Sequence, residues 1–112
     1  MKQSPYIIDL ETYKTRGSKV FTGRPRGVEV RKATKIDDIE TNCLNVVIKV
    51  PNSIASINPS FFEEFLVNVV SKLGEQGFRE KFSFENPGEY KIDDDLTDAI
   101  ERILREENAL AQ

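Results

Sequence analysis

The residues best placed to do chemistry surround one short turn, which joins an apolar strand to an amphipathic helix. The strand is predicted over residues 44–50, and the turn runs through Ile57, Asn58, Pro59 and Ser60 before a helix that ends at Gly74. A helix start presents free backbone N–H groups and the positive end of the helix dipole at one point of the surface. The turn therefore suits a serine switch, an anion site or a contact with a partner.

Two helix-start signals overlap at this turn and give Ser60 two alternative roles. Asn58 before Pro59 predicts an N-cap with proline at the first helical position, whereas Ser60 with Glu63 matches a capping box. Capping alone explains a serine at this place. A phosphate on Ser60 would also be stabilised by the helix N-terminus, so a phosphoacceptor is the alternative.

Basic residues near the N-terminal end form a second candidate site. Residues 23–27 (Gly-Arg-Pro-Arg-Gly) combine glycines, arginines and a helix start, and Arg24 and Arg26 could hold a phosphate or another anion together with Arg31 and Lys32. No Gly-Lys-Ser/Thr follows, so the segment is not a Walker A loop. The alternative is a tight turn whose arginines face solvent or pair with the acidic C-terminal third.

Composition excludes several classes of chemistry. Histidine is absent, which removes the commonest general base and metal ligand. The single cysteine, Cys43, excludes an internal disulfide and a zinc cluster built on cysteine spacing, and we expect it to pack in the core. Residues 93–95 (Asp-Asp-Asp) lack the spacing of an EF-hand loop and are interpreted as carboxylates at a helix start. We therefore predict no catalytic residues, no metal and no cofactor; a hydrolase or transferase subunit relying on carboxylates is a third alternative.

The net charge of −3 conceals two oppositely charged regions. Residues 12–36 carry eight basic residues against one acid, and residues 75–112 carry eleven acids against five bases. Such a division favours either attraction within the fold or complementary surfaces for another molecule. It leaves open nucleic-acid or nucleotide binding through the basic segment 14–35.

The hydrophobic pattern predicts one α/β domain over residues 1–112, with frayed tails at 1–5 and 108–112. Strands are predicted at 6–10, 18–22, 44–50 and 81–85. Helices are predicted at 25–34, from the turn at Asn58–Ser60 to Gly74, and from Asp93 onward. Residues 37–42 are interpreted as an acidic connector. The nearly continuous apolar run at 44–50 suggests a strand covered on both faces. Because strands alternate with helices, we expect a central sheet with helices packed on it.

The second helix carries an apolar stripe of helical period, with polar residues on its other side. The stripe comprises Phe61, Phe62, Phe65, Leu66, Val69, Val70 and Leu73. We expect Glu63 and Glu64 on the exposed face. Phe61, if exposed beside the helix start, would be a docking anchor.

Several segments taken together resemble the bacterial STAS-like domains of unknown function. They are residues 21–27 (Phe-Thr-Gly-Arg-Pro-Arg-Gly) with Arg31, the strand 46–51, residues 57–62 (Ile-Asn-Pro-Ser-Phe-Phe), Leu73-Gly74 and residues 82–84 (Phe-Ser-Phe). The similarity covers about residues 20–105. It implies a fold like the sulfate-transporter and anti-anti-sigma-factor domains: a mixed central sheet of about four strands, with three or more helices mainly on one face.

The resemblance also implies a regulatory role. Such domains dock partner proteins, often ATPases of the histidine-kinase superfamily, and are switched by serine phosphorylation at a strand-to-helix turn. In this chain Pro59 occupies the phosphoacceptor position and Ser60 matches the serine after it. We therefore expect a non-catalytic domain that binds a protein partner through Asn58, Ser60, Phe61, Glu63 and Glu64.

We expect the protein to act in the cytoplasm. No apolar run approaches the ~18–20 residues that span a bilayer, and residues 1–20 contain no apolar signal region.

Overall fold

The computed structural model describes residues 5–86, Gly88 and residues 90–110. In this part of the chain five strands and four α-helices form an α/β fold. The strands are β1 (Tyr6–Asp9), β2 (Val20–Phe21), β3 (Val46–Lys49), β4 (Ser56–Ile57) and β5 (Phe82–Glu85). The helices are α1 (Arg24–Thr34), α2 (Ile36–Asn42), α3 (Pro59–Lys81) and α4 (Asp93–Leu110), and a 3-10 turn spans Leu10–Tyr13.

The described strands form two parallel sheets, where one mixed sheet of about four strands was predicted. Strands β1, β3 and β5 pair in the order β1-β3-β5, and β2 pairs with β4. All three strand pairings, β1 with β3, β3 with β5 and β2 with β4, are parallel. The expectation of an α/β fold with at least three helices is confirmed.

One face of the larger sheet is buried and the other is open. Alternation along the strands puts Ile8, Ile48 and Phe84 in one row that joins the core, at the same register of the three strands. The next row on the opposite face begins with Ile7, which is 54% exposed, and Val47 in it is only half-buried. The expectation that the central strand is covered on both faces is therefore wrong, because no described helix covers the second face.

Helix α3 is central to the packing, since it lies against both α1 and α4. Its apolar stripe is buried as predicted from Phe61 to Val70, while Leu73 is partly buried against the core. The predicted stop at Gly74 is an interruption: φ is 74° there, and helical geometry resumes over residues 75–81. A glycine fits this positive φ, so the chain can change direction without ending the helical segment.

Two segments differ from the sequence prediction, and the predicted tails are only partly covered by the described residues. Residues 37–42 belong to the helix α2 rather than to an irregular connector. The β4 strand, Ser56–Ile57, was not predicted. The predicted frayed tails lie partly outside the described residues, which exclude 1–4 and 111–112, and α4 continues to Leu110. Pro87, in a predicted turn, also lies outside them.

Candidate functional site

The helix start at the predicted turn is organised by Asn58. Its side-chain oxygen Oδ1 accepts hydrogen bonds from the Ser60 backbone N–H at 2.9 Å and from the Ser60 hydroxyl at 2.8 Å. Pro59 is the first helical residue, as the Asn-Pro signal predicts. The capping-box prediction is wrong, because Ser60 lies inside the helix and Asn58 is the cap.

This arrangement gives Ser60 no means of nucleophilic activation. Its hydroxyl proton is directed to an amide oxygen, which is not a base, and a serine nucleophile requires an adjacent general base. The turn can therefore present hydrogen-bonding groups and a helix start, but its serine is not arranged for covalent catalysis.

A shallow hollow of about 310 Å³ lies beside the turn. We call its lining the Asn58 surface: Val20, Thr22, Ser56, Ile57, Asn58, Pro59 and Asp95. The Asn58 backbone N–H donates to the Phe21 carbonyl at 2.8 Å, which holds the turn against β2. Val20 is 42% exposed at the rim. The surface thus combines exposed hydroxyl, amide and apolar groups with one carboxylate.

Tyr90 ties the Asn58 surface to the start of α4. Its hydroxyl lies 2.6 Å from Asp95 Oδ2 and 3.2 Å from the Ile57 carbonyl oxygen. Burial, followed by the interaction with Asp95, raises the pKa of Tyr90 above its ordinary value. The phenol therefore stays protonated and joins two elements that are far apart in sequence.

Phe61 is not available as a docking anchor. Its side chain is 0% exposed and packs against Phe21, Phe62 and Phe65, with ring centroids 5.0–6.1 Å apart. Placing this ring in water would remove a large apolar group from the core. Phe61 is thus buried with the rest of the apolar stripe, and the exposure that a docking anchor requires is absent.

Glu63 is also buried, contrary to the expectation of an exposed face. Only 3% of it is exposed, and its carboxylate lies 3.2 Å from Arg24 and 3.7 Å from Arg102. A buried carboxylate needs such partners, because an unpaired buried charge is strongly destabilising. Glu63 therefore joins α1, α3 and α4. Glu64 is partly exposed and pairs with Arg24 at 3.3 Å and with Arg31 at 3.8 Å.

The four basic residues predicted to bind an anion do not converge. Arg24 and Arg31 share Glu64, and Arg31 also donates to the Glu64 carbonyl at 2.7 Å. Arg26 instead contacts Glu29 and the Tyr13 carbonyl. Lys32 lines a hollow with Arg31 and Lys35, but Asp37 and Asp38 line it too, and neither Arg24 nor Arg26 does.

The ion pairs also fix the charge state of the helix start at α1. The Glu63 carboxylate, with a contribution from Glu64, raises the pKa of Arg24 above its ordinary value. Arg24 and Arg31 thus pair with carboxylates of α3, instead of facing solvent or pairing with the acidic C-terminal third as expected.

Three residues at the Asn58 surface carry no recognisable sequence signal for this position. Thr22 and Ser56 flank two-residue strands that are too short to show periodicity, and Asp95 was interpreted only as a carboxylate at a helix start. Asp95 does lie in the first turn of α4, as predicted. Its hydrogen bond with Tyr90 depends on the tertiary fold.

The described residues contain neither a metal-binding cluster nor a membrane-spanning helix. No group of three or more Cys, Asp or Glu side chains among them is placed to hold a metal ion. Cys43 is a free, partly buried thiol packed against the core. No helix in this part of the chain has the length and apolar character needed to cross a bilayer.

Comparisons of the chain with protein-family models, curated proteins and solved structures find no match.

Proposed function

We propose that this chain is a STAS-like regulatory domain that has no catalytic site and binds a protein partner through the Asn58 surface. The observation that carries the proposal is the capped helix start: Asn58 holds Ser60 in place, and Tyr90 links the turn to α4. Such a surface is ordered before binding, which reduces the entropic cost of association. Its mixture of exposed polar and apolar groups is typical of a non-obligate protein interface.

The proposed partner is an ATPase of the histidine-kinase superfamily, and the proposed setting is the cytoplasm. The partner follows from the resemblance to STAS-like domains, in which the strand-to-helix turn is the docking region, and the cytoplasmic setting is the expectation drawn from the hydrophobic pattern of the sequence. The position of Asn58 and Ser60 between β4 and α3 is compatible with that role. Of the residues first assigned to docking, Asn58, Ser60 and Glu64 remain accessible at least in part.

Site-specific photocrosslinking tests the docking surface without requiring a known partner. A photoreactive phenylalanine derivative is placed at Thr22, on the Asn58 surface, or at Ser83, on the open face of β5. We expect the Thr22 derivative alone to form a covalent product in the native host, with a protein that carries a histidine-kinase-type ATPase domain. No product, or the same product from both positions, would contradict the proposal, and crosslinking to nucleic acid would favour the alternative.

Phosphorylation of Ser60 is a separate hypothesis, motivated by its position at the start of α3. A phosphate there would lie near free backbone N–H groups and the positive end of the helix dipole. However, Ser60 would have to release its hydrogen bond to Asn58. Incubation with the crosslinked ATPase and ATP should add one phosphate to the intact chain and none to Ser60→Ala; an unchanged mass of the intact chain would rule the hypothesis out.

The alternative, binding of nucleic acid or nucleotide phosphates through segment 14–35, is less well supported at its arginines. Phosphate contacts need basic side chains that are free to exchange their counterions. Arg24, Arg26 and Arg31 instead contact carboxylate groups of the same chain. An anion would have to compete with those carboxylates.

A further inference from the structure

A second and larger hollow opens beyond the carboxyl ends of β3 and β5. Its volume is about 570 Å³, and its wall includes residues 52–55, which follow β3, together with Gly88 and Tyr90, which follow β5. In open α/β sheets, small molecules bind in the crevice outside the carboxyl ends of the strands. The volume also lies within the ordinary range of small-molecule sites.

Close backbone packing forms one wall of this hollow. A Cβ built on Gly88 would lie 2.7 Å from the Asn52 carbonyl oxygen, so a larger residue at 88 would force the two loops apart. Gly88 therefore allows the segment after β5 to close against the segment after β3. The hollow is consequently bounded by two segments of the chain that approach each other closely at Asn52 and Gly88.

Two lysines bring positive charge to the hollow. Lys19 lines it directly, and the described residues place no carboxylate within 4.0 Å of its ammonium group. The Lys14 ammonium lies 3.4 Å from the hydroxyl oxygen of Ser53, which is also part of the wall. Only 14% of the Lys14 side chain is exposed, and its carboxylate partner, Glu11, is 3.9 Å away. These lysines are thus less fully paired than Arg24 or Arg31.

Ser53 can donate a hydrogen bond to a ligand while it accepts one from Lys14. Its oxygen accepts the hydrogen bond from Lys14, so its own proton remains free to donate into the hollow. Asn52 adds an amide, while Ile54 and Ala55 add apolar surface. The Tyr90 hydroxyl is already engaged with Asp95, so Tyr90 supplies wall rather than a free donor.

We propose that this hollow binds a small molecule that carries a phosphate monoester. The dianion matches two ammonium groups, with Lys19 in direct contact and Lys14 acting through the Ser53 hydroxyl. The volume exceeds that of a phosphate group, so Ile54 and Ala55 would contact the organic part of the molecule. The lining of this hollow shares no residue with the Asn58 surface, which it adjoins at residues 19–20 and 55–56, and the proposal does not depend on the proposed docking function.

Titration of the full chain with phenyl phosphate, followed by amide chemical shifts, tests the proposal. We expect saturable shifts for Lys19 and residues 52–55, and weaker binding of both phenol and inorganic phosphate. Lys19→Gln should weaken binding by about tenfold or more, since it removes a charge-assisted contact. Lys32→Gln is the matched control, because it removes an exposed lysine outside the hollow.

Several outcomes would overturn the proposal. These are the absence of saturable shifts in residues 52–55, an equal loss of affinity in Lys32→Gln, and shifts centred on residues 24–32. Equal affinity for inorganic phosphate would overturn the assignment of an organic ligand. Ser53→Ala supplies an independent check against Ser83→Ala, a serine on the open face of β5, and only the first should weaken binding.

Discussion

The side-chain oxygen of Asn58 caps helix α3 at the candidate site. Both Asn58 and Ser60 are good N-cap residues, and the spacing of Ser60 and Glu63 matches a capping box. In the structure Asn58 Oδ1 takes the cap, and the Glu63 carboxylate pairs with Arg24 and Arg102 instead of closing the box. The tertiary ion pair competes with the local motif, and it could not be foreseen from positions 60 and 63 alone.

Tyr90 gives a prediction at the scale of a residue. Its folded-state pKa is raised, so the phenol keeps its proton at a pH where the unfolded chain has lost it. The stabilisation is complete below the ordinary tyrosine pKa of about 10 and declines as pH rises from there toward the folded-state pKa. Tyr90→Phe should therefore lose less stability above pH 10 than the natural chain, by at most about 1.4 kcal/mol per pH unit.

Urea unfolding at a series of alkaline pH values measures this difference. At neutral pH the same substitution should lower the free energy of unfolding by about 1 kcal/mol, because the hydrogen bond to Asp95 is lost. The difference in phenolate absorbance between the two proteins isolates the titration of Tyr90. A midpoint at the ordinary tyrosine value would contradict the proposed environment.

At the scale of elements, Gly27 weakens the helical sequence of α1 but allows the helix to pack closely against α3. Glycine in a helix costs about 1 kcal/mol relative to alanine. A Cβ at this position would lie 2.5 Å from the Phe61 carbonyl oxygen and 2.8 Å from Glu64 Cβ, so the absence of a side chain allows α1 to approach α3 closely. The same approach brings Arg24 within reach of Glu63 and Glu64.

Gly27→Ala tests this packing. Intrinsic propensity alone would stabilise α1, but we expect a net loss of about 1–3 kcal/mol in the free energy of unfolding, because the added methyl group overpacks the contact. Lys32→Ala, on the exposed side of the same helix, should change stability by no more than about 0.5 kcal/mol. Chemical denaturation of the three proteins provides the comparison; a Gly27→Ala variant more stable than the natural chain would contradict the close approach.

The elements that could be predicted are those with sufficient length or a clear boundary signal. The apolar stripe from Phe61 to Val70, the start of α3 at Pro59 and the start of α4 at Asp93 agree with the sequence prediction. The strand predicted at 18–22 contains β2, whereas β4 was not predicted, because its two residues are too few to display a period of two. Gly74 was correctly placed at a break, but the helical geometry that resumes after it was not predicted.

At the scale of the whole molecule, charged residues from distant parts of the chain form ion pairs with one another inside the fold. Arg24 from the basic segment and Arg102 from the acidic segment both contact Glu63. The charges therefore serve to join helices, which leaves less of the basic segment available to an external anion. This outcome depends on which helices pack against each other, and the sequence pattern does not predict those contacts.

The candidate site was predictable in its centre and unpredictable at its margins. Asn58 and Ser60 lie at a helix start, where capping rules place them. Thr22, Ser56 and Asp95 reach the same hollow only through the pairing of β2 with β4 and the position of α4. Glu63 was assigned to the exposed face because helical periodicity alone does not reveal that α1 and α4 cover both sides of α3.

The central claim, that the Asn58 surface binds a protein partner, is tested most directly by measuring the affinity of the protein captured in the crosslinking experiment for two arginine variants. Thr22→Arg places a bulky charge on the Asn58 surface, and Ser83→Arg places the same group on the open face of β5; both positions are exposed, and equal unfolding free energies would verify that both variants are folded. We predict that Thr22→Arg weakens binding by about tenfold or more, which corresponds to about 1.4 kcal/mol, while Ser83→Arg leaves it within about twofold. Equal affinities for both variants, or a loss confined to Ser83→Arg, would contradict the claim.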